Sequence, residues 1–418
     1  MTNSSDSFSI HTFRPYRNKV APFSTEVPQE TPENVSTPLS VLMQSANANT
    51  PFGDAELPVD SADTHVTPFD VESLSIDPQA KAYFDQRGIT TVHDAFIIAS
   101  ILHTNKNVKE AAVIYGLAFR IHPKRPDHYP LAQSLLQARL LCMLKAGIRP
   151  PRREIDILRG YNIPFANYIE GIDMAWDGQD GRAALRHIGN AYEEFHTGEE
   201  IDSLYLEIVL KSAPDLLEST EKGLSQRSIP KKLFMYWDHN PPAEIAANFD
   251  FHRNIPGFKF KVFDKHEAAE WLYTNFGVEA RSIFLGARHP VEAADFLSVH
   301  VTQLCGGWWL DAGIRIRDEA ALRFMAEQTA SNVFLLTHNG VVHNNFYGTV
   351  ANSSIGADCL LSLYKNSYLH HGLSRAYKTG SGVFNRALNR RAWRVLQGFE
   401  AADGVQVYDH TVFDRVID

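Results

Sequence analysis

At Ser228-Ile229-Pro230 the chain changes texture: helical spacing of apolar residues gives way to short apolar runs separated by helical stretches. Leu233-Phe234-Met235-Tyr236-Trp237 reads as a buried strand, ended by the turn-forming run Asp238-His239-Asn240-Pro241-Pro242. Residues 258–263 alternate Phe, Lys, Phe, Lys, Val, Phe and read as a second strand. Residues 267–276 and 290–304 read as helices, 308–316 as a strand and 332–337 as another. Strands alternating with helices predict an α/β domain over residues 228–418, with a Rossmann-type, mostly parallel sheet. Ligands of such sheets sit beyond the carboxyl ends of the strands, and Asp238 and Asp311 fall at or near such ends.

Upstream, residues 77–217 carry apolar side chains at helical spacing. Ala111, Ile114, Tyr115, Ala118 and Ile121 mark one helix, and Leu131, Leu135, Leu136, Leu140 and Leu144 mark its partner. Pro123, Pro126 and Pro130 separate the two, and Gly147 with Pro150 and Pro151 ends the second. A similar unit recurs at Ala183, Ala184, Ile188, Ala191, Tyr192 and Phe195, with Leu204, Leu206 and Val209 after Gly198. This N-terminal all-α accessory domain resembles tetratricopeptide repeats but keeps no strict period, and a groove for a protein partner is a second reading of it. Residues 1–72 are rich in Ser, Thr, Pro, Asn and Asp, as in Ser24-Thr25-Glu26-Val27-Pro28, and read as a flexible leader. A non-cleaved export signal is the alternative reading of the same composition.

Charge and cysteine content exclude several classes. The 418 residues carry 40 Lys and Arg against 49 Asp and Glu, a formal charge of -9 that offers no broad attraction to nucleic acid. Cys142, Cys305 and Cys359 lie far apart without metal-ligand spacing, so neither a disulfide framework nor a structural zinc site is expected of them. No run approaches the length of a transmembrane helix and no secretory pattern opens the chain, so the expected location is cytoplasmic, with an exported effector as the alternative.

Chemistry concentrates in Ala293-Ala294-Asp295-Phe296-Leu297 and in Leu304-Cys305-Gly306-Gly307-Trp308-Trp309-Leu310-Asp311-Ala312-Gly313-Ile314. A helix ends at a glycine pair, and a strand then carries an acidic residue into a loop. A carboxylate on such an edge can hold Mg²⁺ or Mn²⁺, because hard cations prefer oxygen ligands. Ile229-Pro230-Lys231-Lys232 with Trp237 and Pro241-Pro242, Ala294-Asp295 with Gly306-Gly307 and Leu310-Asp311, Asn344-Asn345-Phe346 with Gly348, and Thr379-Gly380-Ser381-Gly382-Val383 follow one another in order. In that order and spacing they resemble glycosyltransferase family 32, the DXD sugar-transferase group of yeast-type mannosyltransferases, bacterial capsule enzymes and relatives of the glucosylating toxins. The similarity spans nearly all of residues 229–385.

The resemblance implies a GT-A-like fold and a hexosyltransferase that moves a sugar from a nucleotide-sugar donor to a polysaccharide, glycolipid or protein acceptor, retaining its anomeric configuration. It implies that Asp311 and Asp295 form the catalytic centre, that Asp311 holds the divalent ion, and that His410 serves as a late metal ligand. Trp237, Asp295, Asn344, Asn345, Thr379, Gly380 and Ser381 would line the donor. Two positions depart from the family: Gly313 stands where the second aspartate of the motif would be, and Ser298 where an arginine would be. Asp318 could compensate as a ligand, and Arg315 could neutralise diphosphate without metal. Each residue also has a plainer reading: Asp311 as a turn cap, Trp237 as core, Asp295 as part of an internal ion pair or as a cap, Asn344 and Asn345 as turn residues, and Thr379 to Gly382 as a turn. A metal pair of His338 and His343 is a further option. A fold that binds nucleotide sugars without turnover, or a helical adaptor, are the alternatives to an enzyme.

Overall fold

The computed structural model describes residues 68–72, 74–198, 200–218, 228–370, 372–399 and 403–418. Nearly all of the leader, residues 1–67, lies outside them. Its last five residues form helix α1 (Pro68–Glu72), whose Asp70 takes an ion pair from Arg120 at 3.1 Å.

The described chain divides into two compact units, with the boundary between His196 and Thr197. In the first, every regular element is helical: α2 (Pro78–Arg87), α3 (Val92–Thr104), α4 (Val108–Ile121), α5 (Ala132–Lys145), α6 (Arg152–Tyr161), α7 (Ile163–Trp176), α8 (Gly181–Ile188) and a 3-10 turn at Ala191–Glu194. The spacing-predicted pair appears as α4 and α5, with Ala111, Ile114, Tyr115, Ala118, Leu135, Leu136 and Leu140 buried. The starts are set by local chemistry. Thr91 and Asp94 form a capping box at α3, each satisfying an otherwise orphaned backbone N–H, and Asn162 caps α7 through Phe165 N.

The second unit opens with α9 (Glu200–Ser212), which the periodicity groups with the preceding helices. Its partner is instead α17 (Ser381–Leu396), through a buried ion pair: Arg386 Nε donates to Asp202 Oδ1 at 2.7 Å, and Asn389 Nδ2 donates to the same oxygen at 3.1 Å. Helical periodicity shows that a face is buried but not against what.

Six strands follow: β1 (Lys232–Tyr236), β2 (Lys259–Phe263), β3 (Gly307–Leu310), β4 (Asn332–Leu335), β5 (Phe346–Thr349) and β6 (Val405–Tyr408). They make one sheet in the order β2-β1-β3-β5-β4-β6, with β5 antiparallel to both neighbours and the remaining pairings parallel. Between them lie α10 (Ala243–Arg253), α11 (Lys265–Phe276), α12 (Val278–Leu285), α13 (Pro290–Cys305), α14 (Glu319–Ala326), α15 (Ser354–Leu369) and α16 (Arg375–Lys378), and α18 (His410–Val416) closes the chain. Both faces of the sheet are covered. Leu233, Met235, Trp308, Leu310, Val333 and Leu335 pack with Phe249 of α10, Met325 of α14 and Val416 of α18. Side chains alternate along a strand, so Phe334 and Tyr347 face the other side and meet Phe384 of α17, with ring centroids 5.8 and 4.8 Å away.

The third strand is shorter than the predicted run 308–316. It ends at Leu310, and the chain turns at once, with Ile314 N donating to Asp311 O at 3.1 Å. Apolar content beyond the turn, at Ile314 and Ile316, serves the core rather than a longer strand. The strand's start is dictated by sterics. Gly306 has φ +59°, and a Cβ there would lie 2.6 Å from Ala351 N; Gly307 has φ +131°, and a Cβ would press within 2.9 Å of the Lys232 backbone. Only glycine fits both constraints.

Candidate functional site

Five strands point the same way, so their carboxyl ends form one edge, and β5 begins at that edge opposite Leu310. Asp311 follows β3 directly, and Asn344 and Asn345 directly precede β5. Asp311 N donates to Asn345 O at 2.9 Å, which locks the two segments side by side. Asp295 enters from α13, and Thr379 and Ser381 from the α16–α17 turn. Asn344 Nδ2 donates to Asp295 Oδ1 at 2.7 Å, Thr379 Oγ1 to Asp295 Oδ2 at 3.0 Å, and Ser381 Oγ to Asn344 Oδ1 at 3.1 Å. Three separate stretches of sequence thus meet at one carboxyl group, and the backbone bond from Asp311 to Asn345 sets a fourth beside them.

Burial and charge set its chemistry. Asp295 is 3% exposed, and burial, reinforced by the neighbouring Asp311 charge, pushes its carboxyl up to about 8, against the hydrogen bonds from Thr379 and Asn344 and the nearby Arg375 guanidinium. Burial also raises Asp311, to about 6, against the Trp309 Nε1–H that donates to its Oδ1 at 2.9 Å and against Arg375. Near neutral pH the pair therefore holds a protonated Asp295 beside an ionised Asp311. A proton on Asp295 fits Oδ2, because the Thr379 hydroxyl can rotate from donor to acceptor, whereas the Asn344 amide N–H at Oδ1 only donates.

The loop after Asp311 is pinned from α10. Asn248 Nδ2, buried, donates to Ala312 O at 2.9 Å and Ile314 O at 2.7 Å. His252 takes the Ile316 N–H on Nε2 at 3.3 Å and donates from Nδ1 to Asn248 O, an arrangement of the neutral imidazole, whose pKa burial lowers. Behind the α16–α17 turn, buried Lys378 donates to buried Glu292, and Thr379 N and Gly380 N both donate to Arg375 O at 3.0 Å.

Of the sequence-nominated residues, Asp311, Asp295, Asn344, Thr379 and Ser381 converge directly. Gly380 is the N-cap residue of α17, at the same turn. Asn345 contributes its carbonyl, while its side chain bonds His343. Trp237 stands at the carboxyl end of β1, partly buried, with Nε1 donating to His239 O at 3.0 Å, and no hydrogen bond ties it to the Asp295 cluster among the described residues. Arg315 lies elsewhere, its guanidinium 3.6 Å from the centroid of the Phe251 ring. Asp318 caps α14, accepting from Ala321 N at 2.9 Å. His410 meets His338 and Asp414, and His343 stacks on Phe413 with centroids 3.8 Å apart.

Two contributors escape the sequence reading. Arg375 is exposed and felt electrostatically by both carboxyls. Its signal was its place four residues before Thr379, one helical turn away. Trp309 had a signal too: residues two apart along a strand share a face, which puts its indole N–H beside Asp311.

Fold and site together define an α/β protein with a mostly parallel, doubly covered sheet and a polar site at its carboxyl edge. No family model and no curated protein matches the chain. Among solved structures it is similar to a PaToxG glycosyltransferase at 12% identity, over 47% of this chain and 86% of that one, with a TM-score of 0.32. At that distance the likeness says nothing of this chain's activity. No helix among the described residues is long and apolar enough to cross a membrane.

Proposed function

We propose that residues 228–418 form a retaining, GT-A-like glycosyltransferase that binds a nucleotide-sugar donor at the carboxyl edge of the sheet. The carrying observation is the Asp295–Asn344–Thr379–Ser381 network beside Asp311, built from the same residues whose order resembles family 32. In this reading the buried, protonated Asp295 orients Asn344 and Thr379 at the donor site, and Arg375 offers paired N–H donors to the diphosphate. Attack by the acceptor hydroxyl on the donor face, assisted by the departing phosphate oxygen, needs no separate base.

The donor set accommodates a divalent ion only in part. Asp295 has both oxygens engaged, and Asp311 has one occupied by Trp309, so among these residues a single carboxylate oxygen, on Asp311, is open to Mn²⁺ or Mg²⁺. Such an ion, completed by water and donor phosphates, would neutralise the leaving diphosphate. Gly313 favours a second reading, binding without turnover. The position is exposed, and a Cβ built there meets nothing within 4 Å, so an aspartate fits without strain.

The experiment is a panel of nucleotide sugars, read by thermal midpoint and by release of nucleoside diphosphate, with and without Mn²⁺. Transfer predicts one donor that raises the midpoint and is hydrolysed by the wild type but not by Asp311→Ala. Binding without release in the wild type, and release restored in Gly313→Asp, supports the second reading. No stabilising donor at all refutes both. The acceptor class, glycan or protein, is read from a hit by labelled transfer.

A further inference from the structure

At the same edge, on the β4 and β6 side, a different set of side chains comes together. His338 follows β4, and His410 is the first residue of α18, just past β6. Asp414 lies one turn further along α18, and the four-residue spacing puts it on the same helix face as His410. One ligand atom from each of the three lies within 4.8 Å of the others, and no other such grouping of three occurs among the described residues. The imidazole rings of His338 and His410 stand 4.1 Å apart, and His338 Nε2 is 3.8 Å from Asp414 Oδ2. His343, packed on Phe413, stands beside them close enough to feel the charges of Asp414 and His338.

We propose that His338, His410 and Asp414 form a site for Zn²⁺ or a similar borderline transition-metal ion, separate from the Asp311 carboxylate. The chemistry is in the donor set. Two neutral imidazoles and one carboxylate suit Zn²⁺, whereas Mg²⁺ and Mn²⁺ favour all-oxygen surroundings of the kind Asp311 offers. Each imidazole binds such an ion through the lone pair of a ring nitrogen, in its neutral form. Zinc ligands at ~2.0–2.2 Å require the three atoms to close in by about an ångström, and His338 and Asp414 are exposed, so rotamer changes alone suffice. The neighbouring Asp409 caps α18, its Oδ1 accepting from Thr411 N at 2.9 Å, and stands outside this group of three. Three protein ligands leave the fourth tetrahedral position open to water or to an anionic ligand. The ion would fasten α18 to the loop between β4 and β5, the loop that ends in Asn344 and Asn345.

The test uses the full chain, stripped with chelator, and Zn²⁺ itself, titrated against a chromophoric competitor with Mn²⁺ and Mg²⁺ in parallel. One tight Zn²⁺ equivalent is expected, with a raised thermal midpoint. His410→Ala, Asp414→Asn and His338→Ala should each weaken binding by about tenfold or more, at an unchanged apo midpoint, while Asp311→Ala leaves it intact. Zinc affinity that survives the His338→Ala and His410→Ala pair overturns the proposal. So does loss of zinc in Asp311→Ala, which would assign the ion to the carboxylate site, or the absence of any tight equivalent.

Discussion

Replacing Asp295 by asparagine keeps the shape of the side chain and removes its charge, so it isolates the cost of ionising a carboxyl in this position. In the folded protein the group holds its proton to about 8, and in the unfolded chain it releases it near 3.8. Between those values the native state binds more protons than the unfolded one, so wild-type stability falls as pH rises. At ~1.4 kcal/mol per pH unit the full span comes to on the order of 5 kcal/mol. Asparagine at 295 escapes this, and its oxygen still accepts from Asn344 while its amide donates to the Thr379 hydroxyl. The assay is urea unfolding of both proteins between about pH 5 and about pH 9, followed by tryptophan fluorescence. Five tryptophans, Trp237, Trp271, Trp308, Trp309 and Trp393, belong to the sheet-containing unit, so the signal reports the relevant structure. Titrations common to both proteins cancel in the difference. Asp295→Asn should gain on the wild type by roughly 1 kcal/mol per pH unit and level off above about pH 8. A difference that stays flat across this range refutes the argument that burial and Asp311 together keep Asp295 protonated.

Three further outcomes rest on the same geometry. Trp309→Phe deletes the hydrogen bond that holds Asp311 down, so the Asp311 titration, followed by infrared carboxyl absorption, should move above about 6; an unmoved band rules out that role. Arg375→Ala should weaken binding of whichever nucleotide sugar the panel identifies by about tenfold or more, while Arg315→Ala, stacked on Phe251, leaves it unchanged; equal losses would reject the assignment. Lys378→Ala removes one of the two cations on the buried Glu292 carboxylate, leaving Arg288 at 3.5 Å, and should cost about 1–3 kcal/mol in urea unfolding, partly recovered by adding Glu292→Gln; no loss at all would refute a role for the pair in holding the turn.

The sequence by itself determined the class of fold. Alternating strands and helices after Ser228 require crossovers, and crossovers require a mainly parallel sheet whose ligand edge is the carboxyl one. It also nominated the turn after Gly306-Gly307 and the acid beyond it, because glycine pairs and strand-end carboxylates are local features. Local features do not say which distant segments meet. That Asn344, Thr379 and Ser381 close on Asp295, that Arg375 rather than Arg315 faces the acidic pair, and that His410 joins His338 and Asp414 are decided by strand order and helix packing. The protonation state of Asp295 belongs to the same category. A carboxyl group has an ordinary pKa until the tertiary structure buries it beside a second one, so no reading of neighbours along the chain could have supplied it.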